Sequence, residues 1–245
     1  LDAGAYYLDT APQFAGYGVA QAALGDVLKT RRDEAFVVTK CWEPDGEKAL
    51  KLLKANLREL QIDRADVVYA HSLGSDEMDP QKVMGKNGVM SALLKAQRDG
   101  LTRFIGVSGH NRPERFLAVI KQFEIQVMMN AVSYVARHIY DFENTVWPEA
   151  HRRGIALVAM KVYGGGTKPA GGRLKPPHLF DAFRYAQSLP NVSTVVVGMY
   201  NREELAENIR FARDYQKLTD GALRDLLAEG RPLAKMWGTP YGPVK

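Results

Sequence analysis

A (β/α)8 barrel is the fold this sequence predicts. Three observations predict it. Seven short apolar runs recur along the chain, an amphipathic stretch follows each, and 245 residues suffice for one such domain. Continuous apolar runs suit strands buried on both faces of a parallel sheet. Regular β–α alternation then implies right-handed crossovers.

The predicted strands are Ala5–Asp9, Ala35–Lys40, Ala65–His71, Phe104–Ser108, Gln126–Asn130, Ile155–Lys161 and Thr194–Gly198. Between them lie helical patterns. Glu47–Leu60 aligns Leu50, Leu53, Leu57 and Leu60 on one face, with charges opposite. Val89–Gln97, Pro113–Lys121, Thr145–Arg153, Leu179–Ser188 and Arg202–Tyr215 repeat the pattern. Pro113 suits a first helical turn, and Gly100 and Gly154 sit where helices should stop. Seven units plus one before Leu1 make eight, so the first strand and the N-terminus are expected to be missing from this chain. The rival is an open doubly wound sheet, which would carry a glycine-rich phosphate turn after an early strand; none is present. Residues 1–245 are expected to form one domain. Residues 216–245, with Pro232, Pro240 and Pro243, read as a C-terminal tail over the barrel.

Composition is ordinary for a globular protein, with 46% hydrophobic and 25% charged residues. The net charge of +5 is dispersed, so it marks a solvated basic surface and no nucleic-acid footprint. The single cysteine, Cys41, excludes an intramolecular disulfide and any cysteine-ligated metal cluster. No apolar run is long enough to span a membrane. The expected compartment is the cytoplasm, although an export signal before Leu1 would escape this reading.

Three consecutive predicted strands end in ionisable residues: Asp9, Lys40 and His71. Barrel active sites lie at the C-terminal ends of strands. The plain alternative is an ion pair closing the barrel mouth beside a satisfied histidine. The chemical alternative is that a buried lysine beside a carboxylate tunes a neighbouring phenol or imidazole, which protonates a carbonyl oxygen as hydride reaches carbon.

Several segments resemble the aldo-keto reductase superfamily. Gly4-Ala5-Tyr6-Tyr7-Leu8-Asp9-Thr10-Ala11-Pro12, Leu24-Gly25, Thr39-Lys40-Cys41-Trp42, Asp66 through His71, Arg103 with Phe104-Ile105-Gly106-Val107-Ser108, and Glu204-Leu205-Ala206-Glu207-Asn208 carry the likeness, from Leu1 to about Tyr215. The resemblance implies an Asp, Tyr, Lys, His tetrad, of which Asp9, Lys40 and His71 carry over. The tyrosine normally falls five residues after the Asp, where this chain has Phe14. Either Tyr17, three residues on and flanked by Gly16 and Gly18, swings in as the acid, or the site lacks its phenol. His71 is a further candidate acid. Phe14 and Trp42 would line the substrate pocket.

The same resemblance implies a nicotinamide dinucleotide across the barrel mouth. Ser108 and Asn130 would hold its carboxamide, although the family more often has Asn after the serine and Gln at the second position. Lys161, Gly164 and Gly165, within Lys161-Val162-Tyr163-Gly164-Gly165-Gly166, would approach the diphosphate. Gly198, Asn201 and Arg202, with Asn208, would meet the adenosine end. NADP(H) is expected, with NAD(H) possible, and no metal. The arginine often found four residues before that asparagine is Glu204 here. The leading expectation is reduction of an aldehyde or ketone on a small-molecule carbonyl substrate. The alternatives are a nicotinamide-binding barrel with weak or no turnover, serving as sensor or subunit, and a Schiff-base lyase using Lys40 or Lys161.

Overall fold

The computed structural model describes residues 1–165 and 173–245. The chain forms two compact units, Leu1–Ser108 with Ala118–Val127, and Gly109–Leu117 with Met128–Lys245.

In the first unit, strands β1 (Tyr7–Asp9), β2 (Phe36–Cys41), β3 (Ala65–Ala70) and β4 (Thr102–Gly109) pair side by side, all parallel, in chain order. Helices Ala20–Arg31, Gly46–Glu59 and Val89–Arg98 connect them. The Asp45 carboxylate accepts from Lys48 N and caps the second of these helices. That helix buries Ala49, Leu53 and Leu57. Each leucine side chain contributes about 1.5–3 kcal/mol when removed from water. Gly25 explains why two helices meet so closely: a Cβ there would lie 2.4 Å from the Glu59 carbonyl oxygen.

The N-terminal end of this sheet is held by charge. Asp66, near the start of β3, accepts from Val37 N at 2.7 Å, Arg32 at 2.9 Å and Arg103 at 2.7 Å. Its side chain is only 4% exposed, so these bonds replace the water it has lost.

In the second unit, β5 (Val127–Ala131) precedes β6 (Ala156–Met160) and β7 (Val192–Val195), and β6 pairs with β7 in parallel. Helices Leu179–Ser188 and Arg202–Arg213 follow β6 and β7. The last strand begins earlier than the predicted Thr194–Gly198. Asn191 turns the chain with a φ of 65°, and pairing starts directly after it.

The C-terminal segment is built on a long helix. Asp220–Trp237 is one helix, capped by Thr219, with Pro232 inside it. Leu226, Gly230 and Ala234 are spaced by four and form its buried stripe. Gly230 presses on Tyr134, where a Cβ would come within 2.2 Å of the carbonyl oxygen. His138 Nε2 meets the Leu227 carbonyl at 2.7 Å. Close packing of one face outweighs the usual penalty of an internal proline.

Candidate active site

Asp9 is the last residue of β1 and Lys40 the penultimate residue of β2. Lys40 is fully buried, and Asp9's side chain is 9% exposed. The ammonium has three protons and three partners: Asp9 Oδ2 at 2.7 Å, the Thr10 carbonyl at 2.9 Å and the Tyr17 hydroxyl at 3.0 Å. The Tyr17 O–H in turn donates to Asp9 Oδ2 at 3.3 Å. The Lys40 ammonium also lies 4.6 Å from the centre of the Tyr17 ring.

Local backbone conformation explains how Tyr17 arrives. A short 3-10 turn, Gln13–Ala15, follows Pro12, and Gly16 and Gly18 on either side of Tyr17 have φ of 88° and 55°. Only glycine visits that region without strain. Phe14 lies in the turn and is 61% exposed, so its ring does not take the phenol's position against Lys40.

Burial pushes the Tyr17 phenol above its ordinary range; the Lys40 charge opposes this and Asp9 adds to it. For Lys40, burial works against the charged form, but Asp9 and Tyr17 outweigh it and the net direction is upward. The resting site therefore holds a protonated lysine and a neutral phenol.

A polar network missed in the sequence holds Lys40 from behind. Asn56 Nδ2 donates to the Lys40 carbonyl at 2.9 Å, Gln21 Nε2 donates to Asn56 and Glu59, and Thr39 donates to Gln21 at 2.7 Å. The available signal was Asn56 beside Leu53 and Leu57, a polar residue on an apolar helix face.

His71 follows β3 directly, its N–H bonded to the Cys41 carbonyl at 2.9 Å. Its Nδ1 lies 2.9 Å from Ser108 Oγ, and Trp42 packs edge-on at 6.0 Å between ring centres. Trp42 Nε1 donates to Ser75 at 3.3 Å. The Ser108 hydroxyl, expected at a carboxamide, thus engages the imidazole. Cys41 is buried, its thiol pushed up to about 12 by desolvation, which makes it packing material.

In the second unit, Asn130 is fully buried. Its Oδ1 accepts from Trp147 Nε1 at 2.9 Å, while Nδ2 has no hydrogen-bond partner among the described residues. Such a donor fits an amide carbonyl. Lys161 follows β6, exposed, with φ of 56°, and Gly164 and Gly165 turn the chain with φ of 73° and 82°. Gly166 lies outside the described residues. Gly198 follows β7 with open space beside it. Asn201 caps helix Arg202–Arg213 by accepting from Glu204 N at 2.8 Å. Arg202 is exposed, and buried Asn208 accepts from the Tyr163 hydroxyl at 2.7 Å. No cluster of His, Cys, Asp or Glu among the described residues suits a metal ion. No helix among them is long and apolar enough to cross a membrane.

These features define the class: parallel β/α units with a carboxylate, a buried lysine and a phenol bonded together at strand C-termini. The aldo/keto reductase family profile matches residues 1–181, and the chain belongs to that family. It is 33% identical over 242 residues to D-galacturonate reductase of Fragaria ananassa, a match covering 85% of this chain and 73% of that protein. L-galactose dehydrogenase of Arabidopsis thaliana is 29% identical over 115 residues, 43% of this chain. The chain spans only 34% of that relative's length. Among solved structures, the aldo-keto reductase AKR11C1 from Bacillus halodurans in its holo form superposes with a TM-score of 0.73 at 22% identity, covering 96% of this chain and 84% of that one. The fold is the (β/α)8 barrel of that family, with seven strands among the described residues.

Proposed function

We propose that this chain is a carbonyl reductase in which Tyr17 gives a proton to the substrate oxygen of an aldehyde or ketone. The observation that carries this reading is the Tyr17 hydroxyl bonded to the buried Lys40–Asp9 pair. A reduced nicotinamide supplies hydride to the carbonyl carbon when bound. The unpartnered Asn130 Nδ2 fits its amide carbonyl, and Ser108 and Asn130 are its holders by resemblance. Lys161, Gly164, Gly165, Gly198, Asn201, Arg202 and Asn208 are the remaining cofactor contacts on the same ground.

Tyr17 does the acid work because its proton is loosely committed. The O–H meets Asp9 at a long 3.3 Å, so it can turn to a carbonyl oxygen at little cost. Lys40 already bonds the phenol oxygen and stabilises the negative charge left there. Asp9 keeps Lys40 charged. His71, oriented through Ser108, offers a second hydrogen bond to the substrate oxygen. Trp42 and exposed Phe14 supply apolar walls. Nothing in this arrangement favours the non-catalytic alternative, which rested on Phe14. The resemblance alone would give NADP(H), with Arg202 at the 2′-phosphate, but Glu204 stands where the family often has an arginine.

The test is consumption of reduced nicotinamide by the purified protein with a panel of aldehydes and ketones. Turnover that disappears in Tyr17→Phe supports the reading. Tight cofactor binding without turnover on any carbonyl would favour the sensor alternative.

A further inference from the structure

A cavity of about 370 Å³ opens in the second unit beside the ends of β6 and β7. Tyr163, Gly198, Glu204, Glu207 and Asn208 line it. In (β/α)8 barrels, phosphate groups commonly sit at the loops after the last two strands and at an adjacent helix N-terminus. We infer that this cavity takes the adenosine half of an unphosphorylated dinucleotide, and that Glu204 selects NAD(H) against NADP(H). The inference rests on the proposed nicotinamide-dependent reaction and names its cofactor.

The argument starts at helix Arg202–Arg213. A helix N-terminus attracts an anion because its first N–H groups lack partners and its dipole is positive there. Here that end already has its own anion. Glu204 Oε2 accepts from Tyr200 N at 2.8 Å, and Asn201 Oδ1 accepts from Glu204 N at 2.8 Å. Glu203 adds a second carboxylate to the first turn. Glu207, one turn on, lines the same cavity, and among the described residues its ion pair is a long one, 3.7 Å to exposed Arg210.

A ribose 2′-phosphate carries roughly −1.5 to −2 charge near neutral pH. Set against Glu204 it meets like charge, and the Glu204 N–H of the first turn is already taken by Asn201. A ribose 2′-hydroxyl instead donates to a carboxylate, the device by which acidic residues recognise NAD in other folds. Arg202, the base expected to meet a 2′-phosphate, lies outside the cavity lining. Arg173 and Lys175 do line it. Both are exposed, and the Arg173 guanidinium sits 5.8 Å from the centre of the Tyr200 ring. Their charge suits the diphosphate, which NAD and NADP share, so it lends affinity without discrimination.

The experiment is equilibrium binding of NADH and NADPH, read by nicotinamide fluorescence, to the wild-type chain, Glu204→Gln and Glu204→Arg. Glutamine keeps the acceptor for Tyr200 N and removes only the charge. The wild type should bind NADH at least about tenfold more tightly than NADPH, since a charge-assisted bond is exchanged for repulsion. Glu204→Gln should shrink that ratio, and Glu204→Arg should invert it. Equal or tighter NADPH binding by the wild type overturns the inference alone, as does an unchanged ratio in Glu204→Gln. Binding of neither dinucleotide overturns both the inference and the reading beneath it.

Discussion

The Lys40 ammonium lies 3.0 Å from the Tyr17 hydroxyl, and that contact is its third and last hydrogen bond. Because Asp9 and the Thr10 carbonyl take the other two protons, Lys40 cannot turn away from the phenol without leaving a buried donor unpaired. The cost of such a donor is about 1–3 kcal/mol, more when charged. Tyr17 is thereby held even though it sits in a loop.

Tyr17→Phe removes the proton donor and keeps the ring. A positioned acid typically contributes about 10²–10⁴-fold, so kcat for carbonyl reduction should fall by that order. Phe14→Tyr should change little, because Phe14 is exposed at the turn. Steady-state rates of both variants on one aldehyde decide this; an unimpaired Tyr17→Phe would remove the phenol from the reaction. Burial also holds Tyr17 above its ordinary value of 10.0, so reduction should persist into alkaline pH.

Lys40 and Asp9 form a buried pair, so their variants should lose stability as well as turnover. Removing one partner of such a pair costs about 3–5 kcal/mol, because the other charge is left in a poor solvent. Lys40→Met strands Asp9, and Asp9→Asn strands Lys40. The double variant should lose less than the sum of the singles. Urea denaturation of the three proteins measures this, and strict additivity would show that the pair is not coupled.

The strands and most helices were legible because apolar periodicity reports burial directly. That Asp9, Lys40 and His71 lie at the ends of consecutive strands was legible because ionisable groups interrupt apolar runs there. Tyr17 and Phe14 were left open: spacing along a loop does not fix direction, and the glycine angles at Gly16 and Gly18 decide it. The helix Asp220–Trp237 within the C-terminal tail was not legible because Gly230 and Pro232 oppose local helix formation, while its stripe against Tyr134 is a tertiary effect. The capping role of Glu204 depends on a bond to Tyr200 N that no pattern announces.

At the opposite end of the strands, Asp66 should matter for stability and not for chemistry. It ties Arg32, Arg103 and the start of β2 together through three bonds. Asp66→Asn weakens the charge-assisted bonds, each worth roughly 1.5–3 kcal/mol, and turns one acceptor into a donor facing cations. The midpoint of unfolding should drop while kcat per folded molecule stays near wild type. A matched fall in kcat would show that this end of the sheet reaches the site.

Glu143 gives the second unit a pH-dependent stability. Burial pushes its carboxyl up to about 7 from 4.5, opposed by its own backbone hydrogen bond, by Arg137 and by the Tyr185 hydroxyl at 3.0 Å, and aided by Asp141. The folded value is raised, so the fold binds a proton that the unfolded chain releases. The stability this confers is complete below pH 4.5, declines as pH rises, and is lost above about 7. A shift of that size corresponds to roughly 3–4 kcal/mol. Glu143→Gln keeps an acceptor for Tyr185 and abolishes the titration. The variant should therefore show a flatter stability curve, gaining on the wild type as pH is raised from about 5 to about 8. The quantity to read is the difference between the two proteins in urea midpoint at each pH, which cancels every group they share. Parallel curves would mean that Glu143 stays solvated enough to ionise at its ordinary value.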